Sequence, residues 1–246
     1  MSILQADCID FRYPEKPLFS QASLQVCSGS MTGLLGPNGA GKTTFFDILC
    51  GLKKPDNGQI INPFTQQLYL SQTLMTPPAL RMYDIFKMTA LLCSPAPINK
   101  CHIQEKLARW SPRILDRYNE IWSKKSSLCS YGEKRWFFTV SLLSVAADFY
   151  ILDEPTAGVD PEFRFHIWQC LRGAAQDGAA ILVSSHNVDE ISENCQGFYM
   201  ISQQKFLHFE DGEAFKYHYQ ASTLDQAFIK AACGADMHKS SQPIRP

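Results

Sequence analysis

The sequence has almost no net charge. Its 246 residues carry 23 Lys and Arg against 24 Asp and Glu, a formal balance of −1. That removes the electrostatic case for nucleic acid as the main partner. There is no CxxC pair and no Cys/His cluster at zinc spacing; the nine cysteines are scattered and odd in number. The thiols read as small apolar residues of a chain kept in a reducing, cytosolic setting. The opening, MSILQADCIDFRYPEK, lacks the apolar run of a signal peptide. The longest apolar stretch, Trp136 to Leu152, is interrupted by Asp148 and falls short of the about 20 residues a membrane span needs. It reads as a buried helix, a turn and a buried strand, so the chain is not expected to cross a membrane. Internal repeats, low-complexity segments and heptad runs are also missing.

The chain is long enough to bury a substantial core. Residues 3 to 35 alternate short apolar runs with turn residues, the pattern of antiparallel strands, and Met31 to Leu35 reads as a short buried strand ending at Gly36. Gly41 to Leu52 reads as helix and Leu68 to Leu70 as a short strand. From about Thr73 to Leu128 the pattern is mostly helical, with kinks at Pro77-Pro78 and at Ser94-Pro95-Ala96-Pro97. Ser130 to Ala147 is a loop opening a helix. Phe149 to Leu152 and Ala180 to Ser184 are continuous apolar runs of the buried parallel-strand type, with a helix from Pro161 to Ala175 between them. Strands separated by helices predict an α/β fold with a parallel sheet. After Ser185 a helix runs to about Cys195, and FYMIS and KFLHF, flanking Gln203-Gln204, form a hairpin. The final SSQPIRP reads as a flexible tail.

Gly36-Pro37-Asn38-Gly39-Ala40-Gly41-Lys42-Thr43-Thr44 satisfies GxxxxGK[ST] and lies between an apolar strand and a helix. Glycines let consecutive backbone N–H groups curl around phosphate without a Cβ clash. Lys42 adds a point charge for the β- and γ-phosphates, and the Thr43 hydroxyl is a hard oxygen ligand suited to Mg²⁺. The following helix aims its positive end at the anion. Phe149 to Leu152 then ends in Asp153 and Glu154. Asp153 suits a hold on Mg²⁺, and Glu154 suits a group aimed at the water that attacks the γ-phosphate. His186 follows the apolar run ILVSS, within reach of the same phosphate.

Taken in order, these segments resemble the ATP-binding cassette (ABC) ATPases, the motor subunits of ABC transporters, over roughly residues 3 to 230. GPNGAGKTT looks like the Walker A loop, Gln72 like the Q-loop glutamine, and CSYGEKR falls where the LSGGQ signature belongs. FYILDEPTAGVDP looks like Walker B and the D-loop, with Asp160 as the D-loop aspartate. His186 resembles the switch histidine, and Tyr13 sits where the family stacks an aromatic on adenine. The resemblance implies a P-loop NTPase fold: a RecA-like parallel-sheet core with an N-terminal antiparallel β subdomain and an inserted helical subdomain. It implies one domain over 1–239, the helical subdomain at about 73–147, a C-terminal hairpin and helix at about 198–232, and a tail at 240–246. Two such domains would sandwich two ATP head-to-tail, with Ser130 and Gly132 of one reaching the γ-phosphate held by the other. Gln72 would sense Mg²⁺ and γ-phosphate, Glu154 would act as base or water-orienting group, and His186 would hold phosphate and water. A separate permease in the cell (inner) membrane would be driven from its cytoplasmic face. Ser222-Thr223-Leu224-Asp225-Gln226-Ala227-Phe228 resembles the ending of exporter-type cassettes paired with ABC-2-like permeases.

The signature departs from LSGGQ at Cys129, Tyr131 and Glu133. Tyr131 forfeits the freedom of a glycine at positive φ. Glu133 is a variant the family tolerates and suits the first turn of a helix. A thiol at Cys129, beside the nucleotide, is expected to make alkylation inhibitory. The second cassette can be a copy of this chain or a different one. A soluble ABC ATPase or a non-hydrolysing ATP-binding module remains the alternative. The single cassette without a coiled coil speaks against the first, and Glu154 with His186 against the second.

Overall fold

The computed structural model describes residues 2–93 and 99–234; the expected kink at 94–97 and the tail at 240–246 lie outside them. In chain order the elements are β1 (Ile3–Tyr13), β2 (Lys16–Cys27), β3 (Met31–Leu35), α1 (Lys42–Leu49), β4 (Asn57–Ile61), β5 (Gln67–Leu70), α2 (Met82–Cys93), α3 (Lys100–Trp110), α4 (Leu115–Ser123), α5 (Tyr131–Ser144), β6 (Phe149–Asp153), α6 (Pro161–Gln176), β7 (Ala180–Ser185), α7 (Val188–Asn194), β8 (Gly197–Ser202), β9 (Lys205–Phe209), α8 (Gly212–His218) and α9 (Leu224–Ala232).

Two sheets follow from two kinds of strand pattern. In β2, Ala22, Leu24 and Val26 are buried and the residues between them face solvent, the period-2 mark of a half-solvated antiparallel sheet. β2 pairs with β1, and β1 with β4, in the order β2-β1-β4. The strand β4 was not expected from the sequence: it is a largely exposed edge without apolar alternation. The second sheet runs β5-β6-β7-β3-β8-β9. All its pairings are parallel except β8 with β9. Here β3 corrects the expectation of an antiparallel N-terminal group up to residue 35. Met31 to Leu35 is buried on both faces and lies between β7 and β8, as a central parallel strand must. Gly33 is required there, because a Cβ would stand 2.3 Å from Cγ2 of Ile191 on α7.

The core has two layers. Between the sheets pack Leu4, Ile9, Phe19 and Leu24 from one side and Ile151 and Leu182 from the other. Phe45 and Phe46 of α1 are wedged among them, both without exposed surface. Each fully buried side chain of this kind stabilises by about 1.5–3 kcal/mol. Their burial anchors α1 and the loop in front of it. On the other face of the parallel sheet, Trp136, Leu143, Ile167 and Leu171 cover Leu152, Val183 and Phe198.

The helices α2 to α5 form an aromatic cluster in which Tyr118 and Phe137 stack at 5.0 Å, with the Tyr118 hydroxyl 2.8 Å from Ser141 Oγ. The end of α3 is fastened to α6. Trp110 lies so close on Gly173 that a Cβ there would be 2.1 Å from the indole Cδ1. Ser111 Oγ is 2.8 Å from His166 Nδ1, and Asp177 accepts from both Arg109 and Trp110 Nε1. The opposite side of this layer, along α2, exposes Met88, Leu91 and Leu92.

Boundaries shift for local reasons. The helix expected over 41–52 stops at Leu49, because Gly51 turns the chain at φ 71. The helix expected from about 73 begins at Met82, beyond Pro77-Pro78. The 203–204 hairpin forms with positive φ at both glutamines, 48 and 65, the primed-turn geometry whose usual Asn-Gly signal is absent. Two C-terminal helices follow where one was expected. Among the described residues no helix is long and apolar enough to cross a membrane.

A candidate nucleotide site

The loop 36–41 enters α1 through two glycines in the left-handed region, Gly39 at φ 80 and Gly41 at φ 108. A Cβ at Gly41 would also meet Leu18 and Phe19 at 2.8 Å. No side chain caps α1, whose N-cap is Gly41. Its first-turn N–H groups therefore lack the usual intrachain acceptor and are ready for an anion. They open on a cavity of about 270 Å³ lined by Tyr13, Lys16, Leu18, Asn38, Gly39, Lys42, Thr43, Thr44, Gln72, Asp153 and Glu154. Ala40 lines the adjoining recess.

The parallel sheet delivers the acidic pair to this cavity. Thr43 Oγ1 donates to Asp153 Oδ2 at 2.6 Å, and Lys42 Nζ lies 3.3 Å from Glu154 Oε1 while donating to the Gly36 carbonyl at 2.7 Å. Glu154 Oε2 meets His186 Nδ1 at 2.6 Å. Lys42, Asp153 and Glu154 are buried, and the His186 ring is mostly exposed. Glu154 has φ 53, a conformation costly for a non-glycine residue and characteristic of functional positions. Thr43 and Asp153 offer a hydroxyl and a carboxylate, the hard-oxygen donor set that fits Mg²⁺. Tyr13 stands at the rim, half-exposed, its hydroxyl 3.1 Å from Thr44 Oγ1.

The signature residues and Asp160 do not line this cavity. Asp160 is exposed at the start of α6. Ser130 caps α5, its Oγ accepting from the Glu133 amide at 3.1 Å while Glu133 Oε2 accepts from the Ser130 amide at 2.8 Å. Because Ser130 uses an acceptor lone pair for the cap, its exposed O–H stays free to donate. The Glu133 carboxylate is taken up within the chain, by Ser130, Arg117 and Lys124, and completes the cap of α5. The structure bears on two expectations about this segment. Tyr131 is not among the positive-φ residues, so its position does not need glycine. Gly132 does, since a Cβ would be 2.8 Å from the Gly158 carbonyl. Cys129 is buried, its thiol facing the Lys125 carbonyl at 3.6 Å. Burial first, and then the Glu133 carboxylate, raise its pKa, which lowers the thiolate fraction at neutral pH. We expect Cys129 to react with maleimide at pH 7 about tenfold or more slower than exposed Cys8, read by mass spectrometry of labelled peptides. Equal rates would restore the idea of an inhibitory thiol.

Two residues of this region were missed by sequence reasoning. Ser184 Oγ donates to Asp153 Oδ1 at 2.6 Å and accepts from the Glu154 amide at 3.0 Å. The signal was a polar residue at the end of a buried apolar run. Arg135, without exposed surface, reaches backbone carbonyls of Ser71, Gln72 and Asp153. The signal was one cation opening the apolar helix WFFTVSLL.

Known proteins share the sequence and fold that carry this site. The family profile described as "ABC transporter" matches residues 19–157. The lipopolysaccharide export system ATP-binding protein LptB of Haemophilus influenzae is 30% identical over 222 residues, 84% of this chain and 90% of that protein. The cobalt import ATP-binding protein CbiO of Salmonella typhi is 30% identical over 223 residues, 83% of this chain and 80% of that protein. A solved ATP-binding subunit of an ABC transporter superposes with TM-score 0.78 at 21% identity, over 94% of this chain and 99% of the other, which bears on the fold alone.

Proposed function

Since the chain belongs to the ABC transporter family, whose ATP-binding subunits hydrolyse ATP to power transport, we propose that it is the motor of an exporter. In this reading it binds ATP with Mg²⁺, closes with a second cassette around two nucleotides, and drives a membrane permease from the cytoplasmic face of the cell membrane. Residues 1–239 act as one cassette, with 73–147 as the helical subdomain between signature and permease. The observation that carries the reading is the bonded series Thr43–Asp153 and Lys42–Glu154–His186 at one loop.

The chemistry follows from what those groups can do. Phosphates entering the cavity take the first-turn amides of α1 and draw Lys42 away from Glu154. Mg²⁺, held through Thr43 and Asp153, would neutralise charge on the β- and γ-phosphates. Glu154, released from Lys42 and still oriented by His186 and Ser184, is the carboxylate available to orient water and accept its proton. Tyr13 offers a face for the base. Ser130 and Gly132, which do not line their own cavity, serve the nucleotide of the opposing cassette.

Relatives of equal identity are named for export and for import. The direction therefore rests on the resemblance of Ser222 to Phe228, which opens α9. The test is purification from membranes of the native host in mild detergent through a tag on this chain. A polytopic permease should co-purify, with a second copy or another cassette. Ribosomes or DNA-repair proteins in its place would overturn the transport reading. The permease then identifies a cargo to follow in inside-out vesicles. ATP-driven accumulation in the lumen is the expected result; ATP-driven loss of preloaded cargo would make the complex an importer.

A further inference from the structure

Tyr131 stands where the signature pattern has its first glycine, and the structure gives it contacts a glycine lacks. It is the first residue of α5, and Arg135 follows four residues on, on the same face of the helix. The Tyr131 hydroxyl donates to the Gln72 carbonyl at 3.3 Å. Arg135 Nη1 donates to the same carbonyl at 3.2 Å and to that of Ser71 at 2.5 Å, and Nη2 donates to the Asp153 carbonyl. The guanidinium has no exposed surface. Its charge is met by carbonyl dipoles, and burial pulls its pKa down. The Tyr131 ring lies on Gly158, where an added Cβ would meet it at 3.2 Å. One turn of α5 thus holds three segments: the Gln72 stretch, the end of β6 and the turn at Gly158. Gln72 itself lines the nucleotide cavity.

We propose that Tyr131 and Arg135 form a clasp that ties the start of α5, and with it Ser130, to the Gln72 segment. An occupant of this chain's own cavity then sets the position of the serine offered to the opposing cassette. Both are positioning residues: neither lines the cavity, and each acts through the Gln72 backbone and Ser130. Any shift of residue 72 must stretch the bonds that Tyr131 and Arg135 make to its carbonyl, or carry α5 along. The inference rests on the nucleotide reading above.

The test is amide hydrogen exchange on the full chain, kept monomeric as checked by light scattering. Tyr131→Phe removes only the hydroxyl. Without nucleotide, exchange at 71–74 and 130–134 should rise about three- to tenfold, the effect of losing one hydrogen bond, with the melting temperature and exchange in β6 and β7 unchanged. In a Glu154→Gln background, Mg²⁺-ATP should slow exchange at both segments when Tyr131 is present. With Tyr131→Phe added, the slowing should persist at 71–74 and weaken at 130–134, where Arg135 is the remaining tie. Arg135→Lys, which keeps the charge but loses the fork, should act in the same direction. Unchanged nucleotide-free exchange in Tyr131→Phe, or equal ATP responses at both segments in the two proteins, overturns the clasp. If ATP slows neither segment in Glu154→Gln alone, the nucleotide reading has failed, and the nucleotide-free comparison still decides the clasp.

Discussion

Glu154→Gln should lower ATP turnover about 10²–10⁴-fold, the range of a lost general base, while ATP binding holds or tightens. The exchange is isosteric, so the amide still meets His186 and the backbone keeps its bond to Ser184 Oγ. What disappears is the carboxylate that can take a proton from water. A second effect acts on binding. Lys42 lies 3.3 Å from Glu154 Oε1, and phosphate has to win the lysine from that buried carboxylate. A neutral amide competes less. Phosphate release gives the first quantity and a fluorescent nucleotide titration the second. Turnover within tenfold of the parent protein would remove Glu154 from the role of base.

Lys42→Ala should cost both affinity and stability. Losing a charge-assisted contact of about 1.5–3 kcal/mol raises the dissociation constant for ATP roughly 10- to 100-fold. Without nucleotide the substitution also strands a buried carboxylate. Removing one partner of a buried ion pair costs about 3–5 kcal/mol where nothing replaces it. His186 and the open cavity soften that cost here, so a smaller drop in melting temperature is expected. The double variant Lys42→Ala, Glu154→Gln separates the effects, because the amide leaves no buried charge to strand. Its melting temperature should recover toward that of Glu154→Gln while ATP affinity stays poor. A double variant no more stable than Lys42→Ala would show that the pair does not carry the stability.

What the sequence made legible was local. The loop 36–44 announces itself because its glycines, lysine and threonine sit within nine consecutive residues. β6 and β7 are legible as unbroken apolar runs. The edge strand β4 left no periodic trace, since it buries too little. The remaining features depend on pairs far apart in the chain. Thr43 meets Asp153, 110 residues on, and Arg135 meets Ser71 across 64. No spacing rule within a window reports such pairs. The two signature positions differ in a way a motif comparison does not report: it treats every glycine alike, whereas it is Gly132 that is held against another backbone.

The contact of Trp110 with Gly173 leaves the end of α3 no room to slide along α6. The bonds of Arg109, Trp110 and Ser111 to the α6 side and of Arg135 to the Asp153 carbonyl hold the same edge of the layer. Displacement in a body held along one edge grows with distance from that edge, so the layer is built as a lever hinged where α3 and α5 meet α6. The exposed Met88, Leu91 and Leu92 lie on α2, which packs on α4 and α5, and so sit on the arm of that lever. Any small turn about the held edge would be read out most strongly at that exposed apolar ridge.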